Sequence, residues 1–287
     1  MDTTEQLHEL DADGWRRGLY DDVKRTFRAP FVNWIFRTAT ANEPAFTRYA
    51  WGQVKPLFET RAFARLSVEY RDAVLSRLDV PRYRRPQAGV SPAAYAELRG
   101  QLATFDVVGP RLAVLFETMD RALHDGDVGT ERATGRAATQ PYPGWLDRDR
   151  GRAPSMVDTP PEAAADTADR MCAFHGFDET LPSIYRCLLQ WPGFAGRVWA
   201  DAEPELEGGA FEEACEATSA LVDEFVAGAA YRPQLAPETL RGAGFDEETV
   251  DGARELFRTF NSGPVETVLP ALPVWAASVG SAGERSL

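Results

Sequence analysis

The same frame of residues occurs twice in this chain. PAFTRYAWGQVKP at residues 44–56 and PGFAGRVWADAEP at residues 192–204 share Pro, Phe, Trp and Pro at a constant offset of 148 positions. The match runs on without a gap, Glu59, Ala62 and Phe63 answering Glu207, Ala210 and Phe211. Proline suits the first turn of a helix, where its missing N–H is no loss, so Pro44 and Pro192 each predict a helix start. From there Phe46, Ala50 and Val54 line one face, as Phe194, Val198 and Ala202 do in the second copy; Trp51 and Phe58 form a neighbouring stripe answered by Trp199 and Leu206. Helices apolar over so wide an arc are expected to sit buried between others. A chain that repeats such a frame must build the same local packing twice.

Two further echoes keep the order. NWIFR (33–37) answers PSIYR (182–186) after a one-residue slip, bringing the only two isoleucines, Ile35 and Ile184, opposite each other. FDVVGP (105–110) answers FNSGP (260–264) late in each half, and both are expected to form Gly-Pro turns in which Asp106 and Asn261 shape the backbone. Between Asp125 and Pro161 the chain turns rich in Gly, Pro, Arg and Asp and loses its apolar period, which predicts a linker too long for an ordinary connection. The expected organisation is an N-terminal helical repeat over 1–124, a linker over 125–161 and a C-terminal helical repeat over 162–287. Duplication points to an intrachain pseudo-dimer with an isologous interface, where a small-molecule pocket is the default expectation.

The remaining segments are helical in period. Trp15, Leu19, Val23 and Phe27 recur at steps of four in 15–28, and Phe63, Leu66, Tyr70, Val74 and Leu78 form a stripe through 61–78. The runs Pro92–Leu123 and Phe211–Phe225 read alike, and FDEETVDGARELFRTF carries acids in its first turn and Arg258 in its last, as the helix dipole prefers. No stretch alternates strictly at period two with Val, Ile or Thr, so the expected fold class is all-α.

Charge and cysteine usage exclude several functions. A net charge of −13 repels phosphate backbones, so nucleic acid is not an expected partner. The basic residues are almost all arginine, with lysine only at positions 24 and 55, a balance that fits adaptation to high salt as well as a GC-rich genome. No basic start leads into an apolar run and no segment is long and apolar enough to span a membrane, so a cytoplasmic protein without a membrane partner is expected. Cys172, Cys187 and Cys215 form no CxxC pair and are expected to be buried free thiols. His8, His124 and His175 are scattered, which predicts no metal site and no catalytic triad, and each is expected on the surface or in a loop.

The segments YDDVKRTFRAPFVNWIFR, the two Pro-Phe-Trp frames, FDVVGP and LPSIYRCLLQWPGF, in this order around a long central linker, resemble the group I 2-haloacid dehalogenases, the DehI family. The resemblance covers most of the chain. It implies an all-α fold of two related halves with the active site between them, no cofactor, no metal, and replacement of the halogen of a 2-haloacid by a directly attacking water. Such a reaction needs a carboxylate to take the proton of the water and an amide to fix it. In the family the base is an aspartate immediately after a serine in the segment matching PSIYR, and the amide is an asparagine before the proline of the segment matching VVGP. Here these positions hold Ile184, after Ser183, and Gly109, before Pro110. A hydrocarbon accepts no proton, so the water-activating pair is missing unless Asp106, Asp178 or Glu179 substitutes for the base.

Phe31 and Trp34 match positions that line the family's site, and with Ser183, Ile184 and Gly109 they are the expected substrate-binding residues. Arg37 and Arg186, equivalent in the two halves, are expected to make structural ion pairs rather than to bind a carboxylate. The reading that follows is a dehalogenase-like, divergent member binding a small organic acid or apolar ligand. The alternative is a hydrolytic dehalogenase of short 2-haloacids with a relocated carboxylate. Self-association into a homo-oligomer is left open.

Overall fold

Proline opens both helices of the doubled frame. In the computed structural model, which describes residues 1–124, 126–129, 151–177 and 181–281, helix α3 is Pro44–Phe58 and helix α9 is Pro192–Leu206, each of 15 residues. Both carry a second proline inside, Pro56 and Pro204, in the last turn. Among the described residues the α-helices follow in the order α1 Gly14–Phe27, α2 Trp34–Asn42, α3, α4 Arg61–Leu75, α5 Arg85–Ala88, α6 Pro92–Leu123, α7 Ala165–His175, α8 Ser183–Leu188, α9, α10 Gly209–Ala227, α11 Pro237–Gly242, α12 Glu247–Phe260 and α13 Val265–Ser278. A single 3-10 turn, Glu162–Ala164, precedes α7, and no strand occurs among the described residues. The fold class is all-α, as the periodicity predicts.

The chain divides into two compact units. The first comprises Met1–Leu66, Arg111–Asp147 and Val222–Ser262; the second comprises Ser67–Pro110, Arg148–Leu221 and Gly263–Leu287. Each unit therefore combines stretches from both sides of the central segment.

In the first unit α1, α2 and α3 pack on one another. Phe27, Phe36, Trp51 and Phe58 meet there in edge-on and stacked pairs with centroids 5.0–6.2 Å apart. The Trp51 indole N–H donates to Asp22 at 2.8 Å, so the ring enters the core without a buried donor left unsatisfied. In the second unit α7, α8 and α9 pack in the same sequence order, joined by α13. Trp199 lies 5.7 Å from Tyr185 and 5.9 Å from Trp275, and its indole N–H donates to Glu203 at 2.8 Å.

The expected elements differ from the observed ones in particular ways. The stripe through 61–78 leaves the helix at Leu75; Arg77 N–H bonds back to Val74 in a tighter turn, and Leu78 is buried beyond the helix end. FDVVGP forms no turn. Asp106, Gly109 and Pro110 lie inside the 32-residue α6, held helical by Val107 and Val108, each 2% exposed. Proline has no N–H, so the carbonyl of Asp106 cannot receive the helical bond from residue 110. FNSGP does turn: Asn261 caps α12, Gly263 takes φ 71° and Pro264 precedes α13.

The described ends of the segment 125–161 are tied down. Gly129 N–H donates to Val226 in the first unit, and Arg152 N–H donates to Gly100 in the second. Of the three thiols only Cys187 is fully buried; Cys172 and Cys215 are half-buried, and all three are free.

Candidate functional site

Helix α8 positions the residues that the family resemblance marks. Pro182 sits at its N-cap, Ser183 is its exposed first residue, and Ile184 follows at 2% exposure. The helix is clamped from outside. Arg186 Nε donates to the Val157 carbonyl at 2.8 Å while Val157 N–H donates to the Arg186 carbonyl at 3.1 Å, and the guanidinium reaches Asp158 at 3.4 Å. Arg186 is thus a strap for the incoming chain, in line with its structural expectation. Gln101 on α6 completes the clamp, accepting from Ser155 N–H at 3.0 Å, Gln190 Nε2 at 2.8 Å and the Cys187 thiol at 3.2 Å. Burial pushes that thiol up to about 12, so it stays protonated.

Gly109 is enclosed within the same unit. A side chain starting there would meet Leu272 Cδ1 at 3.3 Å and the Leu269 carbonyl at 3.7 Å. Asp106, one turn earlier on α6, is 3% exposed and has Arg71 Nε 3.5 Å from its carboxylate. Asp178 and Glu179 lie outside the described residues. Asp106, Gly109, Ser183 and Ile184 all belong to the second unit, whereas Phe31 and Trp34 belong to the first. There Trp34, the first residue of α2, is 37% exposed and packs edge-on to Phe260 at 4.8 Å, while Phe31 is half-buried. Arg37, half-buried on α2, approaches His8 Nδ1 at 3.5 Å.

One buried polar group escapes sequence reasoning. His175, expected at the surface, is 4% exposed at the end of α7. Thr267 Oγ1 donates to the Pro264 carbonyl at 3.2 Å and so accepts from His175 Nδ1 at 2.7 Å, leaving Nε2 to accept from the Tyr185 hydroxyl at 2.5 Å. Desolvation lowers the His175 pKa to about 3 and raises that of Tyr185 well above its ordinary value, so both groups are neutral. His175 stands 148 positions after Phe27, the offset that separates Trp51 from Trp199. Gly176 after it and Arg28 after Phe27 both cap their helices in the left-handed region, at φ 71° and 54°. Where the first copy packs Phe27 against Phe36, the second therefore carries a hydrogen-bonded His175–Tyr185 pair.

Among the described residues no group of three or more His, Cys, Asp or Glu could hold a metal ion, and no helix is long and apolar enough to cross a membrane.

Comparison with known proteins agrees with this architecture. A family model described as halocarboxylic acid dehydrogenase DehI matches residues 30–165. An (R)-2-haloacid dehalogenase of Pseudomonas putida is 31% identical over 106 residues, which is 34% of this chain; the aligned stretch spans about a third, 35%, of that relative's length. Among solved structures, D-2-haloacid dehalogenase in complex with L-LA aligns over 95% of this chain and 95% of its own, with a TM-score of 0.76 and 18% identity. A mutant of D-2-haloacid dehalogenase in complex with D-2-CPA aligns over 95% and 94%, with a TM-score of 0.74 and 17% identity. At such identities the two structures establish the fold alone.

Proposed function

We propose that this chain is a divergent member of the DehI family of 2-haloacid dehalogenases, which takes a small organic acid or apolar ligand without hydrolysing it by the family's mechanism. The observation that carries this reading is the pair of positions where water would be activated. Ile184 is a buried hydrocarbon, and a side chain begun at Gly109 would press on Leu272 Cδ1 at 3.3 Å. Hydrolysis needs a proton acceptor within hydrogen-bond reach of the attacking water, and neither position offers one. Ser183, with Phe31 and Trp34, retains the residue types the resemblance assigns to ligand contact.

A second reading keeps the hydrolysis and relocates the base. It rests on Asp106, a buried carboxylate one helical turn before Gly109. Arg71 Nε lies 3.5 Å from that carboxylate. The test is halide release from racemic 2-chloropropionate and 2-bromopropionate by the purified chain at low and at high salt. The divergent reading expects none, with binding of the same acids detected by saturation-transfer NMR. Sustained turnover abolished by Asp106→Asn would establish the second reading instead.

A further inference from the structure

The last two turns of α6 and the turn residue that follows them present a polar face inside the first unit that neither reading above uses. Glu117, Asp120, Arg121 and His124 follow at helical steps, and Asp223, Arg258 and Asn261 meet them from α10 and the end of α12. His124 Nδ1 lies 3.0 Å from the backbone carbonyl of Asp120 and 2.9 Å from its Oδ1. Both neighbours only accept, so in the neutral imidazole the proton sits on Nδ1 and the lone pair on Nε2. The carboxylate is itself held on both oxygens: Arg258 Nε approaches Oδ1 at 3.4 Å, and Asn261 Nδ2 donates to Oδ2 at 3.2 Å. The same amide donates to Glu117 at 2.8 Å, and Glu117 pairs with Arg121, which reaches Asp223 at 2.6 Å.

A histidine that merely caps a helix needs the carbonyl alone. Here the carboxylate behind the imidazole is fixed by side chains of another helix, which is the arrangement of a base oriented by a third group. The side chains remain reachable, His124 being 14% and Asp120 20% exposed. Three carboxylates against two guanidiniums make the surroundings net negative, on a chain already at −13, so an anionic acid is disfavoured as a guest and an uncharged acyl compound is not.

We propose that Asp120 and His124 form a general-base pair that hydrolyses small neutral carboxylic esters, independently of any action on 2-haloacids. Nε2 takes a proton from water as the water oxygen bonds to the acyl carbon. The C–O bond to the alcohol then breaks with its electron pair on the departing oxygen, and the imidazolium returns the proton to it, giving acid and alcohol with no other reactant. His124 is the catalytic residue; Asp120, Arg258 and Asn261 are positioning residues.

The test uses the full chain with p-nitrophenyl acetate. His124→Gln is expected to lower the protein-dependent rate by on the order of a hundredfold, while His8→Gln, at an exposed histidine outside this face, leaves it unchanged. Asp120→Asn is expected to lower kcat with KM little changed, the imidazole being retained, and long-range 1H–15N spectra of the unsubstituted chain are expected to show His124 as the Nδ1–H tautomer. A solvent deuterium isotope effect clearly above one is expected for a proton in flight in the rate-limiting step. Unchanged hydrolysis in a folded His124→Gln variant, or an isotope effect near one, overturns the proposal. Halide release is read in parallel: its absence with ester hydrolysis intact leaves this proposal standing, and the converse removes it alone.

Discussion

On the proposed reading Ile184 and Gly109 set the chemistry by what they cannot do, and both are tested by restoring what they lack. Ile184→Asp places a carboxylate at a site 2% exposed, and an uncompensated buried charge costs about 3 kcal/mol or more, read as a lowered urea midpoint. Gly109→Asn must also displace Leu272, so the informative variant combines both with Leu272→Ala. This triple variant is expected to start releasing halide from 2-bromopropionate; a folded triple variant that releases none means these positions do not form the family's water-activating pair. His175 makes a second prediction. Its native pKa of about 3 lies below the ordinary histidine value, so the unfolded chain takes up a proton the native state refuses. Stability is full above about pH 6.5 and falls as pH drops, by about 2 kcal/mol at pH 5. The pair Phe27 and Phe36 shows the apolar alternative, and His175→Phe with Tyr185→Phe is expected to flatten urea midpoints between pH 7 and 5 by that amount. Sequence reading could not see this residue: comparison of the two copies registers identical letters, and His175 shares with Phe27 only its volume and place.

At the scale of elements, the repeat was legible where identity and packing coincide. Pro44 and Pro192 begin their helices where proline chemistry requires, and Pro92–Leu123 has the predicted bounds. The late echo misled, because one Gly-Pro pair can serve two conformations. FNSGP places Asn and Ser, which favour leaving a helix, before a glycine at φ 71°; FDVVGP places two buried valines there, and their packing keeps α6 helical through the proline. Gly263→Ala is therefore expected to cost about 1 kcal/mol, since a side chain in the left-handed region clashes with the backbone. The check is a chemical-denaturation comparison with Gly109→Ala, whose helical backbone imposes no such penalty and whose limit is Leu272 alone.

For the molecule as a whole, composition spoke to charge and class, and pattern to the all-α fold. What neither could supply is which stretches assemble with which. Each compact unit draws on both sides of the central segment, and such long-range choices are decided by side-chain complementarity that no local period encodes. The charge of −13 gives a molecular-scale prediction: screening self-repulsion is expected to raise the thermal midpoint steadily from low to molar KCl. A midpoint indifferent to salt would assign the scarcity of lysine to genome composition instead. The two units can also be watched separately. Trp199 and Trp275 lie 5.9 Å apart with ring planes 26° from parallel, close enough for their electronic transitions to couple. A far-ultraviolet circular-dichroism couplet from this pair is the expected optical signature of the second unit, and its loss during a pH or denaturant titration is expected to date the dissolution of the core around His175.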